Sequence, residues 1–362
     1  MKAILAKGFF RSTVAFLVAV VLALVVGAVA LKLSGEPVLK VYGIMFTGAV
    51  GSSTGWAGVL VFAAPVAFTS LAALVAFKMQ VWNIGGGGQL IMGACGATLV
   101  ALTFGHVPGP LLLVLVVLGG ALAGGLYAVV CAGLRLWLGV NEMLSTLMLN
   151  YVAVLFVDYL IFGPWKDPTM RGWPYSRPFP PGAMFPSIGG TGVHLGLLLA
   201  VVAGVLVHFV FRNSKWGFQV RVIGSSPSAA RYAGMAIGPN VVVAMLLSGA
   251  LAGLAGVGEV AGISGRLYHL TPAYGYSGIL VAWLSGLDPL ASLFFSLFYG
   301  VLLQGGSALK MAEVEPSLVL IIQAAVVIFT LAALTVANRP WRILPRQASP
   351  DQSAPGTAKA GM

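Results

Sequence analysis

Stretches of about 20 apolar, uncharged residues recur along this chain, each long enough to cross a hydrocarbon core of about 30 Å. This makes the chain an all-α, polytopic membrane protein, because a helix pairs its own backbone groups inside lipid. About ten transmembrane helices are predicted: Ser12–Leu31, Ala57–Phe77, Ile84–Phe104, Pro110–Ala132, Met143–Phe162, His194–Phe211, Val241–Glu259, Tyr274–Leu287, Pro289–Leu309 and Ser317–Ala337. The eighth is short, and so is expected to be tilted, broken or re-entrant. One membrane domain can absorb residues 1–346, leaving a small, polar tail (347–362) that reads as disordered.

Only 8% of residues are charged, and the excess of 20 basic over 9 acidic residues does not point to nucleic acid. The basic residues sit between apolar segments, as the positive-inside rule expects. With the N-terminus inside, Lys2, Lys7, Arg11, Lys78, Arg135, the loop around Arg212–Arg231, and Arg339, Arg342 and Arg346 share one side. That places both termini in the cytoplasm and the protein in the inner or plasma membrane, surrounded by lipid. The first span is too long for a cleavable signal core. Cys95 and Cys131 lie in apolar segments and read as small buried hydrophobes. Residues 33–56 read as an outer segment at the interface. The loop from Gly163 to Val193 is too rich in proline for long helix or strand. Its aromatics, Trp165, Trp173, Tyr175 and Phe179, suit the membrane surface. Gly120-xxx-Gly124 and Gly249-xxx-Gly253 allow helices to approach closely.

The segment 212–240 concentrates charge of one sign, with Arg212, Lys215, Arg221 and Arg231 and no acid. It also contains a short helix signal. Ser226 can cap the N-terminus, Pro227 suits the first helical position, and Gly234 can take the left-handed position after the last turn. A membrane protein that engages a soluble cytoplasmic partner would present such an element. The plainer reading is a loop whose charges only fix topology.

Polar residues at membrane depth are candidates for function. Trp82-Asn83-Ile84 precedes four glycines and Gln89. The glycines are poor helix formers and suit either an unwound backbone or a turn before the helix. Asn83 and Gln89 would meet a polar, neutral solute. Glu142, Thr146, Asn150 and Asp158 recur in multiples of four and form a stripe along the fifth span, either a pathway lining or interhelical hydrogen bonds. Tyr274 and Tyr276, beside small residues at the start of the eighth span, could stack on a flat solute or belong to an aromatic belt. Glu259, with Arg266 and His269 following, reads as a structural ion pair. There is no phosphate-binding loop, no set of metal ligands and no catalytic constellation. Spans two to five and seven to ten can be read as two inverted copies, with the glycine-interrupted segments 85–96 and 275–286 in matching places.

Four ordered motifs, NIGGGGQLIMGA, VNEMLSTLMLNYVA, SSPSAARYAGM and GYSGILVAWLSGLDPLA, resemble those of the membrane-spanning permeases of ABC importers for branched-chain amino acids, simple sugars and nucleosides. The likeness is greatest to the sugar and nucleoside branch, and spans roughly residues 41–337. It implies a transport subunit and not an enzyme. It also implies cytoplasmic ATP-binding subunits that use ATP and Mg, with no cofactor or metal on this chain. A solute-binding protein outside the membrane and a second permease subunit, the same or paralogous, complete the expected set. The ATPase would dock on Arg221, Ser226, Pro227, Ala230, Arg231, Tyr232 and Gly234. The substrate pathway would involve Asn83, Gly86, Gly87, Gln89, Thr146, Asn150, Tyr274, Tyr276 and Trp283. Gly86 and Gly87 stand where the family usually has Ala-Glu, so the expected solute does not require a carboxylate there. A branched-chain amino acid permease is the alternative within the family. A self-sufficient secondary transporter, with Asp158 or Glu259 as its coupling acid, is the alternative outside it.

Overall fold

The structure is a computed structural model that describes residues 2–170 and 172–338, with side chains from Val14 to Ala337. The roles expected of the Lys2, Lys7 and Arg11 side chains, of Arg339, Arg342 and Arg346, and of the tail lie outside these described residues.

The order is α1 (Lys2–Leu33), α2 (Val38–Val50), α3 (Ser53–Phe77), α4 (Gly86–Thr103), α5 (Gly109–Leu138), α6 (Glu142–Phe162), α7 (Gly196–Asn213), α8 (Lys215–Ser225), α9 (Pro227–Tyr232), α10 (Ile237–Val257), α11 (Ala273–Leu284), α12 (Pro289–Met311) and α13 (Pro316–Asn338). Among the described residues, nine helices are long and apolar enough to cross a membrane: α1, α3 to α7, α10, α12 and α13. The expected eighth span is α11. Its 12 residues reach only about 18 Å, so it cannot cross alone. The outer segment forms α2, whose 13 residues are also too short to cross.

The α3, α4 and α10 helices fill the centre, and α3 is buried along nearly its whole length from Ala63 to Phe77. Outer helices show one face to lipid. On α5, Leu111, Val114, Leu118, Leu122 and Leu126 point outward, while Gly120, Gly124 and Ala128 point inward at helical spacing. The two small-residue motifs face each other. A Cβ added at Gly124 would stand 2.5 Å from the Gly249 carbonyl oxygen, and one at Gly253 would stand 2.5 Å from that of Gly120. Gly93 of α4 meets Gly253 in the same way, so three backbones converge without side chains between them.

Helices end on both sides of this core. Lys78, Arg135 and the pair α8–α9 share one side, here termed the basic face. The proline-rich loop between α6 and α7 covers the other, the loop face. Among its described residues that loop holds only a three-residue 3₁₀ turn (Pro181–Ala183) and isolated bridges. Its backbone is tied to the loop-side end of α10 through Phe179 N–H to Gly265 O (2.8 Å) and Phe185 N–H to Ala261 O (2.8 Å).

Candidate functional site

The chain leaves α3 through Gln80 in a left-handed conformation (φ 59°) and runs without helix from Val81 to Gly85. The break therefore precedes the glycine run, and Gly86 to Gly88 form the first turn of α4. Asn83 in the break itself and two side chains of α6 take up the backbone groups it frees. Asn83 Oδ1 accepts from the Gly85 N–H (3.0 Å), and Thr146 Oγ1 from the Ile84 N–H (3.1 Å). Asn150 accepts from the Gly88 N–H (2.7 Å) and donates to the Ile84 carbonyl (3.1 Å). Asn83 and Gln89 pair amide to amide at 3.0 and 2.9 Å, and Asn83 also donates to Ser248 (2.9 Å). Both are almost fully buried. These four residues come together as the predicted set, and their hydrogen bonds join α4 to α6 and α10.

Three helices give the depth of this belt. Asn150 lies eight residues into α6, Ser248 eleven into α10, and Thr69 eight before the end of α3. At 1.5 Å per residue these are about 12–16 Å from the basic-face ends, near the middle of a 30 Å core.

At the same depth, entered from the loop face, α11 begins. Thr69 donates to the Tyr274 carbonyl (2.9 Å) and fixes that entry. Gly275 and Gly87 touch backbone to backbone, and a Cβ at Gly87 would overlap Pro272. Two helix N-termini thus meet in the middle of the bundle, each with the positive end of its backbone dipole. Pro272 also explains the missing acid: no side chain fits at 87.

The basic face is built from local rules. Ser214 caps α8 by accepting from the Gly217 N–H (2.9 Å), and Ser226 caps α9 by accepting from the Ala229 N–H (3.3 Å). Pro227 takes the first helical position. After α9 the Met235 N–H bonds the Ala230 carbonyl, the Gly234 N–H bonds that of Arg231, and Gly234 has φ 73°, a Schellman stop. Ala230 is buried, whereas Arg231 is exposed and Tyr232 is 96% exposed. The sequence reading missed α8. Its signals are the Ser214 cap and the spacing of Val220 and Ile223, which are buried with Gly217. This helix seats on the end of α3, where a Cβ at Gly224 would overlap the Lys78 carbonyl. Arg221 donates to the Phe211 carbonyl, and Lys78 lies 5.0 Å from the Phe211 ring centre. Burial holds the Lys78 ammonium pKa below its ordinary value, with Asp288 opposing and Arg221 adding to the shift.

The profile of the permease component of branched-chain amino acid transport systems matches residues 55–331, which take in both the belt and the basic platform. The chain belongs to this permease family. It is 36% identical to the glucose ABC transporter permease protein TsgB13 of Haloferax volcanii, over 87% of this chain and 86% of that one. It is 30% identical to the guanosine ABC transporter permease protein NupP of Bacillus subtilis, over 88% of this chain and 92% of that one. It is 28% identical to the nucleoside ABC transporter permease protein NupB of Lactococcus lactis subsp. cremoris, over 88% and 90%. The permease is a multi-pass transport subunit rather than an enzyme, and permeases of this kind work with ATP-binding and substrate-binding partners.

The remaining predicted residues of the permease divide by face. Tyr276 and Trp283 lie seven residues apart on one exposed side of α11. Trp283 stacks on Trp82 (5.9 Å between ring centres), and both rings approach Phe77. Asn150 reaches the Tyr276 hydroxyl at 3.4 Å, joining this side to the belt. Tyr274 points away from it, toward a cavity on the loop face. The polar stripe of α6 is spent on hydrogen bonds along its length: Glu142 pairs with Arg135 (2.9 Å) at the basic end, and Asp158 with His269 (2.7 Å) at the other.

The expected ion pair of Glu259 does not form. Glu259 accepts from the Tyr268 hydroxyl (3.1 Å), while His269 bonds Asp158 and the Arg266 guanidinium faces the Tyr175 ring at 5.6 Å. A wide π-helical turn, Gly258–Ser264, continues α10 and turns Glu259 inward. His194 packs against that turn at Gly262 and accepts from the Gly196 N–H (3.1 Å). Burial lowers the His194 pKa from its ordinary 6.5.

Proposed function

We propose that this permease forms half of the membrane-spanning part of an ATP-driven importer for a nucleoside or simple sugar. The observation that carries this reading is the mid-depth meeting of the α4 and α11 N-termini inside a belt of uncharged amides and hydroxyls. Discontinuous helices that meet at the midplane suit alternating access, and an uncharged belt suits a neutral polar solute. The glucose, guanosine and nucleoside permeases it resembles support the same solute class.

The basic face lies in the cytoplasm with both termini, in the inner or plasma membrane. One ATP-binding subunit docks there on α8 and α9, with Arg231 and Tyr232 making contact and Arg221, Ser226, Pro227, Ala230 and Gly234 holding the short helix in place, and a second docks in the same way on the other permease. ATP and Mg are used by those subunits, and this chain binds no cofactor. A solute-binding protein delivers to the loop face. A second permease, the same or paralogous, faces the exposed Tyr276–Trp283 side of α11. In this arrangement Asn83, Gln89, Thr146 and Asn150 hold the break that shapes the pathway, and Gly86 and Gly87 allow the two helix starts to touch.

The test is uptake by the importer reassembled in proteoliposomes, with radiolabelled glucose, ribose and guanosine as probes. ATP-dependent uptake of at least one is expected, with loss in Arg231→Glu. Uptake that needs no ATP, or that is unchanged in that variant, contradicts the reading.

A further inference from the structure

Directly on the loop side of the α4–α11 meeting lies a cavity of about 350 Å³, within the range of roughly 300–1,000 Å³ usual for small-molecule sites. Its floor is Leu90, one residue beyond Gln89, and Tyr274 at the start of α11. Phe62 and Tyr268 add aromatic wall, Thr271 stands exposed near its mouth, and Glu259 lines it. The Glu259 side chain is only 4% exposed, and its two oxygens are treated differently. Oε2 accepts from the Tyr268 hydroxyl, whereas Oε1 is buried without a partner among the described residues. An unpaired carboxyl oxygen at this depth is costly and calls for a donor.

We infer that this cavity is a hydroxyl-binding way station for the translocated solute, with Glu259 Oε1 accepting from a solute hydroxyl and the aromatic walls covering its apolar face. The inference rests on the proposed import of a nucleoside or sugar. Among the described residues the cavity lining contains no Lys or Arg, and its one imidazole, His269, is engaged by Asp158. An anionic solute would meet a carboxyl group with no cation to balance it, so phosphate esters and the carboxylate of an amino acid are disfavoured. Sugars and ribosides offer several donors and no negative charge. Glu259 sits in the π-helical turn and lines the cavity.

The permease offers a clean handle. Both native cysteines, Cys95 and Cys131, are buried and free, so Thr271→Cys supplies an accessible thiol at the cavity. The full-length variant, assembled with its partner subunits in nanodiscs, is treated with a maleimide alone or with millimolar glucose, ribose, guanosine or leucine. Slower labelling with at least one of the three hydroxylated probes, and not with leucine, is expected. Adding Glu259→Gln, which keeps the shape but replaces the carboxyl group with an amide, should weaken that protection roughly tenfold or more. Tyr268→Phe, which releases the orienting hydroxyl, should weaken it less. No protection by any hydroxylated probe, protection that survives Glu259→Gln, or protection by leucine would each overturn the site. Uptake of the same probes by the Thr271→Cys importer separates the two claims. Uptake without protection sinks the way station and leaves the import reading standing. Protection without uptake leaves a hydroxyl-binding cavity but sinks the import reading and the way station with it, and absence of both sinks both.

Discussion

The basic platform and the mid-depth belt are both built around helix starts with helped ends, yet they are stabilised in opposite ways. The α9 helix is made by its own sequence. Its cap, its proline and its closing glycine lie within nine residues of one another, and only Ala230 anchors it inward. The start of α4 is made by other helices, because Asn150, Thr146 and Ser248 come from α6 and α10. The difference teaches where stability and work separate. A locally encoded helix can expose Arg231 and Tyr232 fully, since neither holds anything together. A break in the membrane must have its backbone groups satisfied, and the residues that do so cannot be changed without a cost in stability.

The sharpest way to break this comparison is at the crossing itself. Gly275→Val drives a side chain into the Gly87 backbone and should destabilise by about 3 kcal/mol or more, or prevent folding. Monodisperse protein by gel filtration with an unchanged unfolding temperature would contradict the contact. Next is Asn150→Leu, which strands the Gly88 N–H and the Ile84 carbonyl at an expected loss of about 2–4 kcal/mol. On the platform Ser226→Ala removes only a cap, about 1 kcal/mol, read in the same thermal scan. Arg231→Glu should move stability by about 0.5 kcal/mol or less while abolishing coupled transport.

Acid gives a small effect on the loop face. His194 has its pKa lowered by burial, so the folded state binds fewer protons than the unfolded one. Its contribution is fully present above pH 6.5 and is lost as pH falls below that toward the folded value. His194→Gln should flatten the fall in unfolding temperature between pH 7 and pH 5; an unchanged slope would assign that fall to other groups.

What the sequence made legible follows the same division. The span positions are set by hydrophobic length, and the structure places the predicted ones within a few residues. The α9 cap and stop are read correctly because every signal is local. The α8 helix was overlooked because its buried pair, Val220 and Ile223, is modest beside the charges around it. At the start of α4 the glycines drew attention to the right place for an incomplete reason. They serve close approach to Pro272 and Gly275, and the break before them is held by distant side chains that no local pattern displays. Glu259 was given the wrong partner because the π-helical turn that redirects it leaves no periodic trace.

The central claim is that α8 and α9 form the docking surface for an ATP-binding subunit while adding little to the fold. It is tested most directly by purifying the tagged full-length permease from its native membranes in mild detergent, wild type beside Arg231→Glu, with mass spectrometry and a thermal scan of each. The account predicts a stoichiometric ATP-binding subunit with the wild type, its loss from the variant, and closely similar unfolding temperatures for the two permeases freed of partners. A wild-type permease that comes down alone even after gentle crosslinking, or a variant that keeps the subunit, would contradict it.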